Sequence, residues 1–250
     1  MEWFWRRFFF PLVLLVTLFS FTATASAKPP TVKLQPAGNT EYIFDSVELL
    51  EYSDQGVRFK VRGHREAGDE PILLNIRIDP QSKTYTVVKR ALAGEQQLKG
   101  NALQDQQSLL PEGMLKTYTA KVGVVTEDPL NIDCCKSWLQ LNWTVDLNYN
   151  RVVGYSKNKG QWDGQPTLGL TYWYCDWHNY TSYCGYNSSS AWAQSQARHH
   201  NYDWGNNNIA TYAEHSMILN GTVSGSWTYE CEWFHWGEDA YLLHGSVYFP

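Results

Sequence analysis

Along SWLQLNWTVDLNYN, residues 137–150, every second side chain is apolar. Leu139, Leu141, Trp143, Val145 and Leu147 fall on one side of an extended chain, and Gln140, Asn142, Thr144 and Asp146 on the other. This period of two excludes an amphipathic helix, whose apolar stripe needs a repeat of about 3.6 residues. It describes a strand buried on one face. The same pattern returns at TVSGSWTYECEWFHW, where Trp227, Tyr229, Cys231, Trp233 and His235 alternate with Thr228, Glu230, Glu232, Phe234 and Trp236. Both faces of that strand carry rings. TLGLTYWYC, ATYAEHSMILNG and AYLLHGSVYF also read as strands, and Asn220-Gly221 reads as a two-residue hairpin turn. Short strands with Gly and Asn turns, and no convincing amphipathic helix, predict an all-β, antiparallel sandwich or barrel.

The N-terminal part has the same grammar in a different composition. VELLEYSDQGVRFKVRG is two strands around Asp54-Gln55-Gly56, and ILLNIRIDPQSKTYTVVKR is two more around Asp79-Pro80-Gln81-Ser82. Residues 28–90 therefore read as a small β unit without Cys or Trp. Residues 91–112 are rich in Gln, Gly and Leu and read as a linker, with a short helix over 101–110. Residues 113–250 form the second domain. Beyond Asp133, Lys and Arg thin out while Asn, Ser, Gly, Tyr and Trp take over, and 10 of the 12 Trp lie between Trp138 and Trp236.

The N-terminus predicts export. Arg6 and Arg7 precede an apolar run from Phe8 to Phe21, and Ala25-Ser26-Ala27 supplies small residues for cleavage, so residues 1–27 read as a signal peptide. No later segment is long and apolar enough to span a bilayer. The expected location is extracellular. A formal net charge of −5 gives no electrostatic footprint for nucleic acid. In an oxidising compartment the five cysteines predict disulfides with one thiol left over. Cys175 and Cys184 flank a short stretch that a bridge would pin as a loop. Cys231 is then left for Cys134 or Cys135, and Cys135–Cys231 is the expected pair.

ARHHNYDWGNNN, residues 197–208, gathers two imidazoles, a guanidinium and a carboxylate. If residues 190–202 are a strand, the small row Ala191, Ala193, Ser195, Ala197 packs inward and ends at His199. Trp192, Gln194, Gln196, Arg198 and His200 then face outward. Asp203 to Asn208 reads as a turn that presents Trp204. Six histidines (His178, His199, His200, His215, His235 and His244) lie in the Trp-rich part, but no spaced His/Cys pair or HExxH is present. No metal and no cofactor are expected. Asp203, Glu214, Glu230, Glu232 and Asp239 are the acids from which a hydrolytic pair could be drawn. No GxSxG elbow is present.

The number of large rings exceeds what a core of this size needs, and exposed rings usually bind something. The sequence thus predicts a non-catalytic secreted protein that binds a glycan or cell-surface ligand through Trp177, Trp192, His200, Tyr202 and Trp204. One alternative is an extracellular hydrolase with metal assistance. Another is a toxin-like product with residues 28–112 as a pro-region.

Overall fold

The structure, a computed structural model, describes residues 31–90, 114–164, 172–202 and 209–250. The signal-like segment, the short helix expected over 101–110, and Trp204 lie outside them. The chain forms β1 (Val32–Lys33), β2 (Gln35–Pro36), β3 (Ser46–Ser53), β4 (Gly56–Arg65), β5 (Ile72–Asp79), β6 (Thr84–Arg90), β7 (Leu115–Glu127) and β8 (Asp133–Asp146). It continues with β9 (Arg151–Asp163), β10 (Tyr174–Tyr180), β11 (Gly185–Tyr186), β12 (Ser190–Asn201), β13 (Thr211–Thr222), β14 (Trp227–Trp236) and β15 (His244–Phe249). A single 3₁₀ turn, Ala240–Leu242, precedes β15.

The strands make two open sheets packed face to face, a sandwich rather than a barrel. The first runs β1-β3-β4-β14-β13-β12-β10, with β11 also on β12; the second runs β2-β6-β5-β15-β7-β8-β9. Every pairing is antiparallel except the short β2–β6 contact. The hairpins around Asp54 and Asp79 form as their turn residues dictate. They do not stand apart from the Trp-rich half. β4 pairs with β14 along its whole length, and β15 inserts between β5 and β7. The described residues of 28–90 and of 113–250 therefore both contribute strands to both sheets.

A main core fills the sandwich, with two smaller buried clusters, one around Cys134, Cys135 and Trp173 and one around Val125, Trp138 and Tyr248. Val57, Phe59, Val61, Tyr229, Trp233, Met217 and Leu219 from the first sheet meet Val122, Val124, Leu139, Leu141, Trp143 and Val247 from the second. The small inward row of β12 supplies room for this, since Ala191, Ala193, Ser195 and Ala197 are all fully buried. Leu147 departs from its expected face. The chain turns after β8, where Asp146 Oδ1 accepts the Asn148 and Tyr149 backbone N–H groups at 3.0 and 3.3 Å, and Leu147 is exposed.

Asn220-Gly221 is not a turn. Both residues lie inside β13, and the reversal follows at Val223–Ser226, where Gly225 adopts φ +93°. The reason is packing. A Cβ on Gly221 would lie 2.5 Å from Cε2 of Trp143, whose Nε1–H donates to the Thr222 carbonyl at 2.8 Å. Gly221 is therefore a flat place on which an indole lies.

The expected disulfides do not form: all five cysteines are free. Cys175–Cys184 fails because DWHNYTSY is mostly strand rather than loop. β10 holds Cys175 opposite His199, whereas the Cys184 Sγ lies at the Gln194 carbonyl. Those two β12 positions are about 16 Å apart along an extended chain, beyond the reach of a disulfide. Cys135–Cys231 fails likewise. Cys135 pairs with Thr126, which hydrogen-bonds His235, while Cys231 sits four residues back along β14, about 13 Å away.

Candidate functional site

Two constellations lie on opposite faces of the same end of the first sheet. A β-bulge separates them. β10 pairs with β12 through Cys175↔His199 and then Trp177↔Arg198, so Asp176 is one residue too many. The extra residue shifts the phase of alternation. Cys175 and His178 point into the sandwich, and Trp177 points out. Asp176 reaches the outer face, where its Oδ1 accepts from His200 Nδ1 at 2.5 Å.

The outer face carries rings in contact. Tyr212 and Trp236 stack with centroids 4.8 Å apart and planes 8° from parallel, and Phe234 continues the row at 4.7 Å from Trp236. The Arg198 guanidinium lies over both Trp177 and Trp236, at 5.5 and 5.4 Å from their centroids. Its Nε donates to Glu214 at 2.8 Å. His200 stacks on Tyr174 at 5.6 Å and meets Tyr202 edge-on at 4.7 Å. Tyr174 and Tyr202 are more than half exposed, at 51% and 55%. A groove of about 480 Å³ borders this row, and Phe234, Trp236, Ile209, Glu51, Asp54 and Glu238 are among its lining residues.

Of the residues expected in a site, Trp177, His200 and Tyr202 come together here. Trp192 does not. It shares the outer face, but eight residues of β12 place it about 26 Å from His200, where it packs on Tyr183 and Gly185. Tyr212, Phe234, Trp236 and Tyr174 join the patch, and sequence reasoning missed them. Their alternation was visible. Their neighbours were not, because Tyr212 meets Trp236 only through the β13–β14 register.

Of the acids nominated for hydrolysis, Asp203 lies outside the described residues, and Glu214, Glu230 and Glu232 face cations. Glu230 binds Arg62 at 2.5 Å and Lys60 at 3.6 Å, Glu232 pairs with Arg58, and Glu214 with Arg198.

The inner face of the same end is polar and buried. Asp163 Oδ1 accepts from His199 Nδ1 at 3.1 Å, and His199 Nε2 meets Ser137 Oγ at 2.9 Å. The Ser137 hydroxyl also meets His215 Nδ1 at 3.1 Å. His215 Nε2 meets Thr126 Oγ1 at 2.8 Å, and Thr126 Oγ1 meets His235 Nε2 at 2.9 Å. The direction of this chain follows from its anchored end. A carboxylate only accepts, so His199 Nδ1 carries its proton and Nε2 accepts from Ser137. Ser137 then accepts from His215 Nδ1–H, Thr126 donates to His215 Nε2, and His235 Nε2–H donates to Thr126. His235 Nδ1 is left as a buried lone pair. Burial holds His215 well below the ordinary histidine value and lowers His235 to about 3. His178, with Ser195 and Gln161 at 3.3 Å on either side, is lowered to about 3 by burial and then by Lys159. His178, His215 and His235 are therefore neutral at physiological pH.

No protein-family model, no curated protein and no solved structure matches this chain. The functional reading rests on geometry.

At the mouth of the buried chain, Asp163, Cys175 and His199 place their ligand atoms within 4.8 Å of one another. Burial pushes the Cys175 thiol up to about 11, with Asp163 and Asp176 adding to the effect. No sequence motif signals this trio. Its members come from β9, β10 and β12, and Asp163 belongs to the other sheet.

Proposed function

We propose that the protein is an exported, non-catalytic binding protein whose outer aromatic face takes a carbohydrate chain. The observation that carries this reading is the contiguous row Phe234–Trp236–Tyr212 beside the Trp177–Arg198 stack, on the solvent side of a sheet whose other face is already buried. Sugar C–H faces stack on such rings, and the carboxylates of Glu51, Asp54 and Glu238 lining the groove suit hydroxyl donors. The signal-like N-terminus supports an extracellular setting, where glycans are met. Among the described residues no helix is long and apolar enough to cross a membrane.

The test is a glycan array followed by titration of the best-bound oligosaccharide against intrinsic Trp fluorescence. Trp236→Ala and Trp177→Ala should each weaken binding by about tenfold or more, the scale of a central ring in an interface. Trp192→Ala should leave affinity within about twofold, because that ring lies at the far end of the strand. An array with no bound glycan, or a Trp236→Ala variant that binds like the parent, overturns the proposal.

A further inference from the structure

We propose that Asp163, Cys175 and His199 form a zinc-class divalent metal site that staples the open edge of the sandwich. β9 is the last strand of the second sheet and β10 the last strand of the first, and they are not hydrogen-bonded to each other. Asp163 ends β9, while Cys175 opens β10 and sits opposite His199 on β12. One ion bound by all three would clamp, through side chains, the place where the chain crosses from one sheet to the other.

The donor set selects the ion. An imidazole nitrogen, a sulfur and a carboxylate oxygen suit Zn²⁺ or Co²⁺, whereas Ca²⁺ and Mg²⁺ require oxygen cages. Three protein ligands leave the fourth tetrahedral position to solvent. Solvent reaches it, since the Asp163 side chain is 36% exposed and Cys175 is half-buried.

The surroundings are those of a metal-bound imidazole. His199 faces the trio with Nδ1, and its Nε2 is held by Ser137. A ligating histidine needs such a partner on its second nitrogen to fix ring orientation. The Ser137 hydroxyl serves both states. It donates to Nε2 while Nδ1 carries the proton, and it accepts from Nε2–H once Nδ1 holds the ion. On binding, the Cys175 thiol proton leaves to solvent, the His199 proton moves from Nδ1 to Nε2, and Asp163 remains a carboxylate. No electron is transferred.

The test uses the full exported chain, reduced and stripped with a chelator, and titrated with Co²⁺. The expected result is a thiolate-to-cobalt charge-transfer band with tetrahedral d–d absorption, saturating at one equivalent and bleached by Zn²⁺. Cys175→Ser should abolish the band, and Asp163→Asn should weaken Co²⁺ binding by at least about tenfold. Cys184→Ser should leave both unchanged. Zn²⁺ should also raise the melting temperature of the parent and not of Cys175→Ser. Both site variants change half-exposed positions, and near-UV circular dichroism without metal checks that they fold. Absence of the band in the parent, or its persistence in Cys175→Ser, overturns the site.

Discussion

At the scale of the residue, a few side chains decide how the interior is filled. Trp143 is fully buried, hydrogen-bonded to the Thr222 carbonyl, and laid on the bare backbone of Gly221. Gly221→Ala should therefore destabilise the fold by about 2 kcal/mol through overpacking, and Trp143→Ala by about 3–5 kcal/mol. In urea unfolding the alanine at 221 should cost much less when Trp143 is already Ala, because the atom it meets is gone. The neutral histidines predict a pH effect. Their folded pKa values are lowered, so the unfolded chain binds more protons as pH falls. The stability they contribute is fully present above about pH 6.5 and is lost below it, by at most about 1.4 kcal/mol per pH unit for each of His178, His215 and His235. Glu127 acts in the opposite sense. Burial raises its pKa, so the stability of its protonated form is lost as pH rises. His64, raised by Asp45, also acts oppositely but at an exposed and screened position. Urea midpoints between about pH 6.5 and 4 should fall. A flat profile would show that the buried imidazoles do not resist protonation.

At the scale of the element, alternation was readable and register was not. β12 obeys its expected pattern, with His199 inward and His200 outward. The two histidines in ARHHNYDWGNNN therefore serve different faces. β13 overrode a strong local turn signal, because the Gly in Asn220-Gly221 answers to an indole in another sheet. β10 was the least legible. Polar residues between two cysteines suggest a pinned loop, but edge pairing with β12 makes an extended strand, and the bulge at Asp176 sorts Cys175 from Trp177. Deleting Asp176 should remove the extra residue and leave Cys175 inward opposite His199 and Trp177 outward opposite Arg198. Its expected signature is unchanged solvent quenching of Trp177 fluorescence, with His200 deprived of its carboxylate partner.

At the scale of the whole molecule, the N-terminal hairpins complete both sheets. β14 needs β4 beside it and β15 needs β5. Deleting residues 28–112 should therefore expose two long strand edges and yield a chain that aggregates or stays unfolded. A soluble, cooperatively melting product would instead restore the reading of this segment as a removable pro-region. The sequence alone determined that the chain is all β and which faces of β8, β12 and β14 are apolar. These are local properties, since a period of two is written in neighbouring residues. The tertiary structure decided what meets what: Tyr212 with Trp236, Asp163 with Cys175 and His199, and no cysteine with another. Partners of that kind lie on different strands, and only the long-range register and the stacking of two sheets bring them together.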